Sequence, residues 1–600
     1  MLSIYIFPPY FMLNERSQTH TLCEAILWAQ PRNQEFPRPR CLPSSPIYRE
    51  RGFPMQRAID KLEPFQRTIS KAHLAAAGVS IDSLENPDKP LIAIANSWNE
   101  LCPGHEPLRQ LAAEVKKGIL EAGGEPIEFN TIGMCDGVAQ GHAGMRYCLP
   151  HRDLITDSCE AMIVGEGCFD GVVYMGSCDK IIPGMLMAAA RIDLPAAIVT
   201  AGPCYDEIKP SESKALRARF LAGEATEREV IEGTLRYYTG PGICPFLGTA
   251  NTMGCLCEGL GMMLPYGALW PSSTSQRRFS ARRTGAAVVD LVRRNIKPSD
   301  IMTQSAIDNA VALLASIGGS LNALIHLPAL ADELGLECTW GKVAEVTSHT
   351  PVVCNVVPNG DISCINLYKA GGIPAILKTI EASLDTSVMT VSGKTMASEL
   401  AGDIHVDRSV IRTQDDPASV ANGIQVLYGN LAPEGALVKT SAVPANQHVW
   451  SGPAMVFDSE DEAFAAYNEH RIAAGTGVVV RYEGSKGGPG MKELHRVTEI
   501  MKGIPNSAVI TDGRFSGASG GLSVGYLCPE ALDGAPIALV EDGDIIRVDL
   551  SQNLIELEVD EAELERRRAK WEPVIHENGG RLLARYAKQV GSAKTGAVLR

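Results

Sequence analysis

The sequence predicts an α/β fold with two parts: an N-terminal domain built on a parallel sheet and a C-terminal β-rich domain that is barrel-like. Three observations support this prediction. From about residue 90, short apolar runs alternate with helical patterns, which is typical of parallel strands covered by helices. After about residue 395, strand-like runs separated by Gly-rich turns take over. At 600 residues, the chain is also too long for one compact core.

The elements of the N-terminal domain are predicted from hydrophobic periodicity. Four apolar or β-branched runs are interpreted as strands, at residues 91–96, 127–132, 171–176 and 196–202. Helical patterns lie between them at residues 106–123 and 152–167, and Pro183 opens a further helix. Helical patterns continue to about residue 390.

The C-terminal domain is predicted from strand-like runs such as "ALVKTSAV", "GVVVRYEG" and "SAVITDG", and from the hairpin "DIIRVDLSQNLIELEV". A charged helix, "DEAELERRRAKWEP", follows the hairpin. We therefore expect an α/β domain at residues 55–390 and a β-rich domain at residues 391–600.

Residues 1–54 contain eight prolines, six arginines, no lysine and four glutamates, which predicts a disordered extension. The apolar start lacks a basic region and is interrupted by Pro8 and Pro9, which argues against a secretory signal. A transit peptide for organellar import would contain fewer acidic residues, so we expect a cytoplasmic protein, with import as the weaker alternative.

The composition of the chain limits the kinds of molecule that it is expected to bind. A net charge of −15 argues against nucleic acid and anionic membrane as partners, but it leaves an anionic small substrate open. No apolar stretch reaches the roughly 18–20 residues that a membrane helix requires. The 16 cysteines include no CxxC pair, which indicates a reducing compartment rather than a disulfide framework.

Two predicted strands are followed by similar polar residues. One leads to Cys135-Asp136, and the next leads to Cys178-Asp179-Lys180 in "GSCDKIIPG". Because ligands bind at the carboxyl ends of parallel strands, these residues are expected to converge on one crevice. Cys244, in a Gly/Pro-rich loop, is a third thiol that could reach the same place.

These residue types suit two kinds of metal. Cysteine thiolates hold the irons of iron–sulfur clusters, and carboxylate oxygens are the ligands that Mg²⁺ prefers. The alternative is structural: an Asp after a strand caps the next helix, and a Cys fills space. Spacing alone leaves both interpretations open.

Several long motifs carry a resemblance to a known family. They are "CDGVAQGHAGMRYCLPHRDLITDS", "GSCDKIIPGMLMAA", "GTANTMGCLCEGLGMMLP", "RYEGSKGGPGMKEL" and "TDGRFSGASGGLSVGYLCPEAL". In this order, from about residue 90 to 560, the chain resembles the dihydroxy-acid, phosphogluconate and sugar-acid dehydratases. In that family an iron–sulfur cluster acts as a Lewis acid beside a Mg²⁺ ion.

The resemblance implies roles for individual residues. Cys178 and Cys244 match cluster ligands, and Ser516 matches the catalytic base. The side chains that match Mg²⁺ ligands are Asp136, Asp179, Glu493 and Lys180. Several members carry this lysine as a carbamate, which supplies a further oxygen ligand.

The third cluster ligand departs from one branch of the family. Members with a [2Fe–2S] cluster have a Cys in a "PCN" or "PCH" motif, where this chain has Gly104. Cys135 is the expected substitute, as in the phosphogluconate branch with its [4Fe–4S] cluster. Cys102, two residues from the usual position, is a weaker candidate. The resemblance favours [4Fe–4S] and leaves [2Fe–2S] open.

The reaction implied by the resemblance is loss of water from a 2,3-dihydroxy acid to give a 2-oxo acid. Mg²⁺ would stabilise the developing enolate, and the cluster would help the 3-hydroxyl to leave. A serine next to Mg²⁺ can act as an alkoxide, which is the role expected of Ser516. Family members are dimers or tetramers, so we expect a homodimer or homotetramer.

The sequence and the family resemblance leave three possible functions open. The first is a dihydroxy-acid dehydratase of branched-chain amino-acid biosynthesis, and the second is a sugar-acid or 6-phosphogluconate dehydratase. The third, most remote, is a non-catalytic relative. Two departures bear on the choice, because Leu321 replaces the Thr of a "GGSTN" motif and Tyr526 replaces the His of "GHxxPEA". Both are expected near the substrate end of the site.

Overall fold

A computed structural model describes residues 56–600, apart from 420–422, 518–519 and 577–578. The extension predicted at residues 1–54 lies outside the described residues. None of the described helices is long and apolar enough to cross a bilayer.

The first layer is a parallel sheet of four strands in the order β2-β1-β3-β4. The strands are β1 (Leu91–Asn96), β2 (Glu125–Asn130), β3 (Gly171–Met175) and β4 (Ala196–Val199). The three apolar strands β1, β3 and β4 are buried throughout, whereas β2 lies at the edge and is half-buried. Strand β2 begins two residues earlier than predicted, because the Glu125 amide already donates to the Pro90 carbonyl.

Helices cover this sheet and connect it to the rest of the chain. They are α1 (Pro64–Ala76), α2 (Ile81–Glu85), α3 (Leu108–Glu121), α4 (Asp136–Ala139), α5 (Pro150–Glu166), α6 (Ile181–Ile192), α7 (Pro210–Leu221), α8 (Glu227–Tyr237), α9 (Thr249–Gly259), α10 (Ser275–Arg294), α11 (Pro298–Ile301), α12 (Gln304–Ser316), α13 (Ala323–Leu334), α14 (Trp340–Ser348), α15 (Cys364–Lys369), α16 (Gly372–Thr379) and α17 (Met396–Leu400). The predicted helices at residues 106–123 and 152–167 correspond to α3 and α5. Pro183 lies in the first turn of α6, where its missing N–H costs no hydrogen bond.

The second layer is a closed barrel of eight strands among the described residues, in the order β10-β6-β5-β12-β11-β7-β8-β9. These strands are β5 (Gln425–Gly429), β6 (Ala432–Val438), β7 (Val449–Phe457), β8 (Gly477–Val480), β9 (Ala508–Thr511), β10 (Leu522–Cys528), β11 (Ile545–Asp549) and β12 (Leu554–Leu557). The accompanying helices are α18 (Glu460–Asn468), α19 (His495–Met501), α20 (Glu561–Arg568) and α21 (Arg581–Gln589). The predicted α/β fold with a barrel-like C-terminal part is confirmed.

Successive residues of a barrel strand pack in different apolar clusters. On β8, Val479 belongs to one apolar cluster of the barrel, while its neighbours Val478 and Val480 pack in a second cluster with residues of α18 and α19. The predicted hairpin is β11 and β12, paired antiparallel from Ile546 opposite Leu557 to Asp549 opposite Leu554.

The strand order positions the site. From β1 the chain crosses to β2 on one side, and from β2 it returns to β3 on the other side of β1. The loops that follow β1 and β3 therefore start next to each other, at the point where the winding of the sheet reverses. In open parallel sheets, this is the position where ligands bind.

Candidate functional site

Lys180 lies at the centre of a group of three carboxylates. Its side chain is fully buried at the N-terminus of α6, immediately after the β3 loop. The ammonium donates to Asp136 through a very short contact, to Glu493 Oε1 at 2.8 Å and to Asp179 Oδ2 at 3.4 Å. Oxygens of the three carboxylates lie within 4.8 Å of one another. The structure thus brings together all four side chains that the sequence suggested as Mg²⁺ ligands.

Burial and the neighbouring charges shift the pKa values of these four side chains in opposite directions. Burial raises the pKa of Asp136 to about 7, against the attraction of Lys180. Burial also raises the pKa of Asp179. Burial and Arg514 work to lower the pKa of Lys180, but the attraction of the three carboxylates outweighs them and leaves it above its ordinary value. The pKa of Glu493 is lowered despite burial, because Lys180 and Arg514 both attract its negative charge.

Glu493 is held by residues that the sequence analysis did not select. Arg514 donates to Glu493 Oε1 at 2.7 Å, and the amide of Asn322 donates to the same oxygen at 2.9 Å. The Tyr526 hydroxyl donates to Asn322 Oδ1 at 2.5 Å. Both missed residues stand inside quoted motifs, Asn322 in "GGSLN" and Arg514 in "TDGRFSG". Tyr526 therefore supports Asn322 through a direct hydrogen bond.

Three thiols meet beside the carboxylates. The Sγ atoms of Cys102 and Cys178 lie 3.2 Å apart, and both thiols hydrogen-bond Cys135. These bonds lower the pKa of Cys135 well below the ordinary range of a thiol. Cys178 has a left-handed backbone with φ of 68°, a conformation that is strained for a residue with a Cβ.

Gly104 leaves room beside the sulfur atoms of Cys178 and Cys102. A Cβ on Gly104 would lie 3.3 Å from Cys178 Sγ and 3.8 Å from Cys102 Sγ, so a side chain there would enter the space between these thiols. The ring of His105 is buried and bonds the Ser177 carbonyl at 2.8 Å through Nε2. The metal-binding group that the geometry defines contains Cys102, His105 and Cys178.

Cys244 lies near these thiols, but neither it nor Cys135 belongs to the metal-binding group of Cys102, His105 and Cys178. Its loop is held by Asn251, whose side-chain amide donates to the Cys244 carbonyl at 2.6 Å. Burial, together with the negative charge of Asp179, raises the pKa of the Cys244 thiol to about 12. The structure therefore brings Cys102 closer to Cys178 than the sequence pattern alone indicated.

Ser516 lies in the loop between β9 and β10 and receives a long hydrogen bond, 3.4 Å, from the Gln140 amide. It lines two cavities. One, of about 20 Å³, is shared with Leu321 and Lys439. The other, of about 110 Å³, is lined by basic side chains as well, namely Lys214, Arg217 and His495. Ser516 is thus accessible from two sides.

The carboxylate oxygens around Lys180 and the neighbouring thiols fit two different kinds of metal site. The Oδ1 atom of Asp136 is buried and has no hydrogen-bond partner among the described residues, so it is available to a cation. Carboxylate oxygens suit Mg²⁺, and converging thiolates suit an iron–sulfur cluster.

Comparisons with known proteins show to which family the chain belongs. Two family models match the chain: "Dihydroxy-acid/6-phosphogluconate dehydratase N-terminal" at residues 89–399, and the corresponding C-terminal model at residues 409–597. A dihydroxy-acid dehydratase from Acetivibrio thermocellus is 44% identical over 545 residues, covering 89% of this chain and 98% of the relative. One from Pyrococcus abyssi is 44% identical over 549 residues with the same coverage. A third, from Moorella thermoacetica, is 43% identical over 544 residues, again covering 89% of this chain and 98% of the relative.

The matched ranges span both the sheet and the barrel, and they contain every residue of the two donor groups. The sequence-based prediction of a dehydratase is confirmed, and the chain belongs to the dihydroxy-acid/6-phosphogluconate dehydratase family.

Proposed function

We propose that the protein removes water from a 2,3-dihydroxy carboxylic acid to give a 2-oxo acid, using an iron–sulfur cluster and Mg²⁺, in branched-chain amino-acid biosynthesis. The observation that carries this proposal is the carboxylate group around Lys180 next to the thiols of Cys178 and Cys135. Relatives named dihydroxy-acid dehydratase that are 44% identical over nearly their whole length support the choice of substrate.

Asp136, Asp179 and Glu493 would hold the Mg²⁺ ion, and Cys178, Cys244 and Cys135 would hold the cluster. When bound, the two groups supply Lewis acidity, toward the carboxylate and 2-hydroxyl of the substrate and toward its 3-hydroxyl, respectively. The Lys180 ammonium occupies the space between the carboxylates where a cation would sit, which supports its conversion to a carbamate in the loaded enzyme. CO₂ would add to the neutral Nζ with loss of a proton, and an oxygen of the resulting carbamate would then replace a competing positive charge with a ligand.

Ser516 would remove the proton from C2 of the substrate. Its oxygen accepts that proton, the C–H electron pair forms the C2–C3 double bond, and hydroxide leaves from C3. The resulting enol tautomerises to the 2-oxo acid. The Gln140 amide, which already donates to Ser516 Oγ, would orient this oxygen and stabilise it when it is negatively charged.

The test is anaerobic reconstitution with iron, sulfide and Mg²⁺, followed by measurement of 2-oxo acid formation from a panel of substrates. The panel contains 2,3-dihydroxy-3-methylbutanoate, 6-phosphogluconate and several free sugar acids. We expect the highest kcat/KM with the first compound and loss of activity in Ser516→Ala with metal content unchanged. A reconstituted protein that converts none of these substrates would contradict the proposal.

A sugar-acid or 6-phosphogluconate substrate is the second candidate, and one observation favours it. The cavity of about 110 Å³ beside Ser516 is lined by Lys214, Arg217 and His495, which suit a distal phosphate or several hydroxyl groups. If this candidate is correct, Arg217→Ala raises KM for 6-phosphogluconate at least tenfold. The same variant would leave the KM for 2,3-dihydroxy-3-methylbutanoate nearly unchanged.

The proposal also covers the oligomeric state of the protein and its location in the cell. We propose a homodimer or homotetramer, as the family resemblance implies, and a cytoplasmic location, as the composition of residues 1–54 and the cysteines suggest. Light scattering of the reconstituted protein would give the mass of the assembly directly, against 64.3 kDa for one chain.

A further inference from the structure

Lys439 is a buried lysine that no part of the proposed mechanism uses. It follows β6 directly, only 7% of its surface is exposed, and its Nζ atom has no hydrogen-bond partner among the described residues. A buried ammonium group without an acceptor is costly, so such a residue is retained for a reason other than stability.

The surroundings of Lys439 point to a partner. It shares the cavity of about 20 Å³, which has room for one water molecule, with three serines: Ser320, Ser516 and Ser523. Ser320 pairs with Thr249 at 2.9 Å, and Ser523 donates to the Gly520 carbonyl at 3.5 Å. Among the described residues, Ser516 only receives the long bond from Gln140, so its hydroxyl proton can be donated.

We propose that Lys439 and Ser516 form a proton-transfer pair, in which the amine of Lys439 accepts the Ser516 hydroxyl proton, directly or through one water molecule. This inference rests on the proposed role of Ser516 as the base. The Ser516 oxygen, now an alkoxide, takes the C2 proton to give an enolate of the substrate carboxylate, whose electrons then form the C2–C3 double bond when hydroxide leaves. Hydroxide then takes the proton from Ser516 to form water, and the Lys439 ammonium returns its proton to the Ser516 oxygen, which restores the neutral amine and the hydroxyl for the next turnover.

The environment suits a lysine that accepts a proton. Burial removes water from the amine and lowers the pKa of Lys439 to about 7, so a neutral fraction exists near neutral pH. Leu321 contributes an apolar wall to the same cavity, and no other ionisable side chain among the described residues lines it. A hydroxyl at position 321 would give the ammonium an acceptor and favour its charged form.

The experiment compares Lys439→Met and Lys439→Arg in the reconstituted protein. Two quantities are measured: kcat for dehydration and the rate of hydrogen–deuterium exchange at C2 of the substrate in D₂O. A guanidinium keeps the positive charge but cannot accept a proton. We therefore expect both variants to lose at least 100-fold in both rates. Near-normal rates in Lys439→Arg would overturn the proposal, because charge alone would then suffice.

Chemical rescue provides a readout that a structural role would not give. In Lys439→Ala, small primary amines are expected to restore exchange at least tenfold, and more so for amines of higher pKa. Absence of rescue by methylamine and ethylamine, in a variant with normal circular dichroism and metal content, would contradict the proposal. Lys486→Met, which removes a surface lysine paired with Asp533 at 2.9 Å, is the matched control.

The Ser516→Ala variant distinguishes failure of the proposed base from failure of the proposed pair of Lys439 and Ser516. If this variant remains active, the proposed base is wrong, and the pair with Lys439 is wrong with it. If Ser516→Ala is inactive while both lysine variants are active, only the pair is overturned.

Discussion

The thiol sulfurs of Cys102 and Cys178 lie 3.2 Å apart, although the two residues follow different strands of the sheet and are separated by 76 positions. A disulfide has an S–S bond length of about 2.05 Å, so the two sulfurs already lie close enough for oxidation to bring them together. We therefore expect mild oxidation of the cluster-free protein with diamide to join Cys102 to Cys178 and to block cluster loading until a thiol reductant is added.

Peptide mapping detects this crosslink, and iron content after reconstitution measures its effect. Cys102→Ser is the control, since it removes one partner and should load iron equally well before and after diamide treatment. Equal loading of the oxidised and reduced native protein would contradict the prediction.

Asp136→Asn tests the carboxylate group. The substitution replaces a buried carboxylate, whose Oδ1 has no partner among the described residues, with a neutral amide. We expect Mg²⁺ affinity to fall at least tenfold and kcat to fall about 100-fold, because a charged oxygen ligand is lost. Titration calorimetry with Mg²⁺ gives the affinity. Asp533→Asn, at a surface ion pair with Lys486, should leave both values unchanged.

Tyr526→Phe tests the support behind Glu493. The variant removes the hydroxyl that donates to Asn322, which in turn donates to Glu493 at 2.9 Å. Loss of one buried hydrogen bond costs about 1 kcal/mol, which corresponds to about 1 °C in the thermal midpoint of a chain this long. We also expect Mg²⁺ affinity to fall severalfold. Tyr428→Phe, on the half-exposed barrel strand β5, is the control and should change neither value.

Lys439→Met is expected to stabilise the protein, in contrast to its effect on activity. The pKa of Lys439 in the folded protein, about 7, lies below the ordinary value of 10.5. Between these pH values the unfolded chain binds a proton that the folded protein does not bind. Native stability therefore falls as pH decreases from 10.5 to 7, and the full penalty persists below pH 7.

Methionine removes this penalty, so the gain in thermal midpoint should be about 4 °C at pH 7 and should shrink toward pH 9.5. Differential scanning calorimetry of the native protein and the variant at both pH values checks this. A gain that is equal at both pH values would show that the lysine does not titrate in this range.

The sequence was most informative where local pattern and topology agree. The apolar run of β3 ends directly before Cys178, and the strand that precedes Cys135 lies in the same sheet, so a shared crevice followed from the rule for parallel strands. The contacts of Lys180 with Asp136 and Glu493 agree with that expectation. For such residues, the end of the preceding strand fixes the position of the backbone from which the side chain projects.

The features that the sequence did not predict depend on packing between segments that are distant along the chain. Lys439 stands in the predicted strand run "ALVKTSAV", where a charged residue normally faces solvent. It is buried because the loop containing Leu321 and the loop containing Ser516 enclose it. Cys102 was given less weight because its spacing differs from the family motif, yet the path of its loop brings its sulfur to Cys178. Neither arrangement has a local signal in the sequence.

The distance along the chain between Lys180 and Glu493 has a consequence for biogenesis. These two residues touch in the finished protein but are separated by 313 positions. At a synthesis rate of about 5–20 residues per second, Lys180 waits roughly 15–60 s for its partner to be translated. A ribosome-bound chain that stops before Glu493 has only part of the carboxylate group, so this group is completed only after translation of the barrel is well advanced.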